Sequence, residues 1–183
     1  MASLVRRATR NKVFALLLFC VSTCAVGCGA KAKNEPPPGV STLPDSRAPI
    51  DFQFDSLDDH PVDSASTRGA PTVIAFVATW DLLSQAQTNF LVKMSKRDGA
   101  SVHYALVALQ ESQDRELVEV YAQKLGVEFP VALADAQTIA GGGVFGDVHN
   151  VPTIVVLDAR GRLVWLHPGI AKASEIRAAM HGI

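Results

Sequence analysis

The stretch Asp81-Leu82-Leu83-Ser84 sets a carboxylate and a hydroxyl three residues apart, directly after Trp80 and at the head of a segment with helical spacing. A carboxylate there can accept hydrogen bonds from the free amides of a first helical turn, or do acid-base work on a bound substrate. The capping role needs nothing further from the sequence, and it is the expectation for Asp81. Ser84 has no base nearby in sequence to turn it into a nucleophile. His149, three positions before Pro152, is a lone loop histidine, whereas a metal or catalytic centre needs convergent partners. No metal and no cofactor is therefore expected. Gly141-Gly142-Gly143 lacks the Lys-Ser/Thr of a phosphate-binding loop and reads as a flexible connection. Thiol chemistry is restricted most sharply of all, because Cys20, Cys24 and Cys28 are the only cysteines. Everything after Cys28 is thiol-free, which excludes a disulfide framework and a thiolate zinc site there.

Positioning these groups falls to alternating strands and helices. Thr72 to Val77 is a short β-rich apolar run without polar alternation, as expected of a strand buried on both faces. Leu83, Ala86, Phe90 and Met94 follow near helical spacing, and Lys96-Arg97-Asp98-Gly99 supplies basic residues and a glycine stop. Val102 to Leu109 reads as a second buried strand, so strand, helix and strand form a right-handed βαβ unit with parallel strands. Leu117, Val120, Tyr121 and Leu125 mark a second helix ending at Gly126, and Phe129 to Leu133 a short extended piece. Thr153 to Asp158 and Leu163 to His167 flank Ala159-Arg160-Gly161-Arg162 as a hairpin. Lys172 to Met180 closes the order as a helix with Ile176, Ala179 and Met180 on one side, while Asp51 to Phe54 and Pro61 to Asp63 suggest a small accessory hairpin ahead of the core.

The N-terminal quarter has a different character. Arg6, Arg7, Arg10 and Lys12 precede an uncharged apolar run from Val13 to Val26, the pattern of a secretory signal and short for a bilayer span. Ala25-Val26-Gly27-Cys28 resembles the lipobox of bacterial lipoproteins, which implies a signal peptide over 1–27 and acylation of Cys28. A plain cleaved signal or a short uncleaved anchor is the alternative. Residues 28–49, with Pro36-Pro37-Pro38-Gly39 and Pro44, read as a semi-extended tether, leaving 50–183 as the folded domain. Of 17 basic and 18 acidic residues, four basic ones lie before Cys28, so the remainder is mildly acidic and does not suit nucleic acid.

Three stretches together resemble the TlpA-like, redoxin branch of the thioredoxin superfamily: Ala48 to Val62 as the entry segment, Arg68 to Trp80 as the first core strand and site turn, and Asn150 to Arg162 as the cis-proline strand. The resemblance spans about residues 48 to 181 and implies a thioredoxin-like α/β fold, a central mixed β-sheet flanked by helices. In that family the tryptophan is followed by Cys-x-x-Cys, and Asp81 and Ser84 stand where the two cysteines would be. A carboxylate and a hydroxyl cannot form or resolve a mixed disulfide. The resemblance further implies that Pro152 is cis and that Val151 offers its backbone to an extended peptide, a contact that needs no thiol.

The functional expectation is a membrane-anchored, extracytoplasmic, redox-inactive binding domain of the bacterial cell envelope. It would hold a protein or peptide at Trp80, Val151 and Pro152 and meet the membrane through lipidated Cys28. The competing expectations are a thiol-disulfide oxidoreductase relative with residual activity dependent on external thiols, and a structural envelope lipoprotein.

Overall fold

The computed structural model describes residues 48–181, so the signal segment, Cys28 and most of the tether lie outside the described residues. Strand β1 (Gln53–Ser56) pairs antiparallel with β2 (Val62–Asp63), and β3 (Thr72–Val77) leads into helix α1 (Leu82–Asp98) and strand β4 (His103–Ala108). Helix α2 (Arg115–Leu125), strand β5 (Val131–Leu133) and the short helix α3 (Ala136–Ile139) follow. The hairpin β6 (Thr153–Leu157) and β7 (Leu163–Pro168) precedes the closing helix α4 (Ala173–His181). The strands lie in the order β2-β1-β5-β4-β3-β6-β7 in one seven-stranded sheet. Strands β3, β4 and β5 are parallel, while β1, β6 and β7 run against their neighbours. The accessory hairpin is thus part of the main sheet, joined to it through β1 and β5.

The apolar run of β3 explains its central place. Val73, Ala75 and Val77 point to one face and Ile74 and Phe76 to the other, the two-residue period of a strand with a core on each side. On the first face Leu91, Met94, Val118, Tyr121 and Ile176 from α1, α2 and α4 cover the sheet. On the second, Phe52, Phe54 and Val62 meet Phe145 and Val148 from the loop before β6. Phe145 lies 5.2 Å from Phe52 and 5.6 Å from Phe76 between ring centroids. The loop containing the three glycines is therefore anchored by two buried side chains rather than free. Gly141 has φ of 79° and packs against the His149 ring, and a Cβ on Gly143 would fall 2.5 Å from the Thr138 hydroxyl, so these glycines permit close packing.

The inward faces of α1 and α2 differ from the apolar reading. Leu83 and Phe90 are exposed, and Ser84, Gln87, Thr88, Leu91 and Met94 face inward. Buried polar groups are tolerated when they are bonded. Gln87 Oε1 accepts from the Ala171 amide at 2.7 Å, though its Nε2 has no partner among the described residues, and the Thr88 hydroxyl meets that of Tyr121 at 2.9 Å. Leu117 and Val120 are likewise exposed, with Val118 and Tyr121 turned to the core. Helix α3, capped by Asp135 on the Thr138 amide at 2.6 Å, has no counterpart in the pattern reading. Among the described residues no helix is long and apolar enough to cross a membrane.

Candidate functional site

At the C-terminal end of β3 the chain passes through Ala78-Thr79-Trp80 into Asp81, whose extended backbone (φ −93°, ψ 125°) is that of an N-cap. Its Oδ2 accepts from the Ser84 amide at 2.6 Å and from the Ser84 hydroxyl at 2.7 Å. Ser84 Oγ in turn accepts from the Ala78 amide at 3.3 Å, so the pair closes the turn onto the helix. Gln110, beyond the end of β4, accepts from the Thr79 amide at 2.9 Å and holds the turn from the other side. That contact links residues 31 apart, and no local pattern announces it.

The geometry fixes what this pair can do. Ser84 has a carboxylate beside it after all, but its side chain is fully buried, so no substrate carbonyl can reach the oxygen. Asp81 is half-buried, and its Oδ1 has no hydrogen-bond partner among the described residues. Trp80 and Leu82 are about three-quarters exposed at 76% and 74%, and Leu83 is 52% exposed. This is an apolar shoulder around the free carboxylate oxygen.

Strand β6 brings in the second wall. The register pairs Phe76 with Thr153, which sets Pro152 and Val151 beside the stretch leading from Val77 into the turn. The Val151-Pro152 peptide bond is cis. Pro152 is buried and its carbonyl accepts from the Gly169 amide at 2.7 Å. Val151 is half-buried and makes no backbone hydrogen bond among the described residues. The expected site residues Trp80, Asp81, Ser84, Val151 and Pro152 thus converge at one end of the sheet. His149 pairs with Asp147 at 2.9 Å, both more than half exposed, and among the described residues no three potential metal ligands come together. A groove of about 490 Å³, lined by residues that include His60, Lys96, His103 and Phe129, lies toward the opposite end of the strands, away from these residues.

The fold defined by this sheet order and this proline-bearing strand is thioredoxin-like. Solved structures bear this out. A DsbF homologue from Corynebacterium diphtheriae superposes with a TM-score of 0.67 at 18% identity, covering 81% of this chain and 97% of its own. A thiol:disulfide interchange protein of the thioredoxin family from Chlorobium tepidum gives 0.62 at 23% identity, covering 73% and 93%. StoA from Bacillus subtilis gives 0.58 at 16% identity, covering 72% and 97%. No family model matches the chain, and no curated protein matches it by sequence.

Proposed function

We propose that this domain is a redox-inactive binding module of the redoxin branch, held on the extracytoplasmic side of a bacterial membrane by acylated Cys28 and gripping an extended protein segment between Trp80 and Val151. The observation that carries the reading is the closed Asp81-Ser84 pair, a capping carboxylate and a buried hydroxyl at the turn after β3, where the resemblance would put two thiols. A carboxylate offers no sulfur for exchange, and the reaction needs a thiolate at this helix start. The unpaired backbone of Val151 and the exposed Trp80 are what strand addition by a partner requires, and neither depends on thiols.

The test is insulin reduction in dithiothreitol, with the parent chain run beside Asp81→Cys combined with Ser84→Cys. The parent should not exceed the reductant background. The double variant should close an intramolecular disulfide and gain turnover, because a cap and the residue three positions on can bring their Cβ atoms into disulfide range. Turnover by the parent, with dithiothreitol or with glutathione, would overturn the reading in favour of an oxidoreductase assisted by external thiols. Anchoring is tested separately: fatty-acid labelling should vanish in Cys28→Ser.

A further inference from the structure

We infer that the segment held at this site is cationic as well as apolar: an extended chain that lays a large apolar side chain on the Trp80-Leu83 shoulder and sets a neighbouring Lys or Arg beside Asp81. The inference rests on the binding reading above and names the partner's chemistry.

The apolar half follows from the shoulder itself. Trp80, Leu82 and Leu83 stand exposed in sequence around the cap, and apart from Asp81 they have no charged neighbour in the first helical turn. Large apolar side chains that are exposed together at the mouth of a cleft mark an interaction surface.

The cationic half follows from which charges the topology gathers at this end. Strands β3, β4 and β5 are parallel, so the segments leaving them emerge together. They carry Asp81, then Glu111 and Asp114, then Asp135, and the loop returning to β6 adds Asp147. The basic groups nearby are mostly spent: Arg115 pairs with Asp55 at 2.6 Å and His149 with Asp147. Lys172, which follows β7, and His167 near the end of β7 are the basic side chains here that form no ion pair among the described residues. The field at the mouth is therefore negative, and it attracts a cation while repelling an acidic chain. Asp81 converts this field into a contact, because its Oδ2 is committed to Ser84 while Oδ1 stays open to an ammonium or guanidinium group. Where a thiolate would capture a partner covalently, a carboxylate selects it by charge.

The experiment is a positional-scanning nonapeptide library captured on the full chain in detergent, followed by anisotropy titration of one enriched peptide and its acetyl-lysine counterpart. Lys and Arg should be enriched one or two positions from a large apolar residue, and acetylation should weaken binding about fivefold, the range of a partly exposed ion pair. Asp81→Asn, which keeps an oxygen for the cap, should bring the lysine peptide down to the level of the acetylated one. Trp80→Ala should weaken both forms alike. Enrichment without charge preference, or a lysine preference that persists in Asp81→Asn, overturns the cationic inference and leaves the binding reading standing. Capture no greater than that by Trp80→Ala, with both proteins folded by circular dichroism, removes the binding reading and this inference with it.

Discussion

Where β6 turns into β7, Asp158 is 1% exposed and accepts from the amides of Arg160 and Arg162 at 2.9 and 2.8 Å and from the Arg162 guanidinium at 2.6 Å. Nearby, Arg68 bonds to the carbonyls of Arg160 and Ser64 and to Asp51, and Asp98 ties Tyr104 to Arg177. At the other end of the same strands, Asp81 keeps one oxygen free, Val151 keeps its backbone free, and Trp80 lies open to water. One end spends its polar groups on itself; the other withholds them. The difference separates what holds the domain together from what it has left to offer a partner.

The titration behaviour reflects this. Burial of Asp158 favours its neutral form, but the Arg162 and Arg160 amides and the Arg162 guanidinium outweigh it and hold the carboxyl below the ordinary carboxylate range. Burial, and then the hydrogen bond to Asp98, push the Tyr104 hydroxyl well above its ordinary range.

Substitutions at four positions break or sharpen the contrast. Phe145→Ala should have the largest effect, about 4 kcal/mol of stability lost in urea denaturation, because its ring fills the second core. A small effect would mean that the loop at the open end is loose after all. Asp158→Ala should cost about 3 kcal/mol by stranding Arg162 and two amides. The sign of its pH dependence is fixed by the lowered pKa: the stabilisation is complete above the unfolded value of about 3.9 and is lost as pH falls through the folded value below it. Asp158→Asn should therefore be weaker at pH 7 and flatter between about pH 4 and pH 2 in acid denaturation. Asp81→Ala should cost only about 1 kcal/mol, the value of an N-cap, and Asp81→Asn nearly nothing. Trp80→Ala should shift stability by less than about 0.5 kcal/mol while weakening peptide capture, and a large loss of stability would return Trp80 to the structural end of the molecule.

The sequence made the open end legible and hid much of the packing. The run from Thr72 to Val77, the hairpin around Gly161 and the cap at Asp81 are local signals, and each lies where its pattern puts it. The site residues assemble because the turn after β3, a local signal, and the strand after Pro152, whose cis bond only the family resemblance implied, are carried to one sheet end by the pairing of Phe76 with Thr153. Periodicity misjudged the inner face of α1. Gln87 and Thr88 are buried there by partners 84 and 33 residues away, and a hydrophobic pattern counts such residues as outward. It also missed Phe145 and Val148, apolar residues in a glycine-rich loop that produce no period yet close a core. The Asp135-x-x-Thr138 spacing was a usable cap signal for α3, too short to stand out as a helix.

The way the chain enters the domain has a mechanical consequence. Pro49 bridges Arg162 and the Ile50 amide bonds to the Gly161 carbonyl, so a pull from the N-terminal side is delivered to the β6-β7 turn. That point is separated from Trp80 by the six residues of β3, about 20 Å of strand. Load therefore runs into the densest ion pairs first and would have to shear them before reaching the cleft. The end that carries Trp80 and Val151 can thus stay undeformed while the chain's entry is strained, as in a hook hung by its shank.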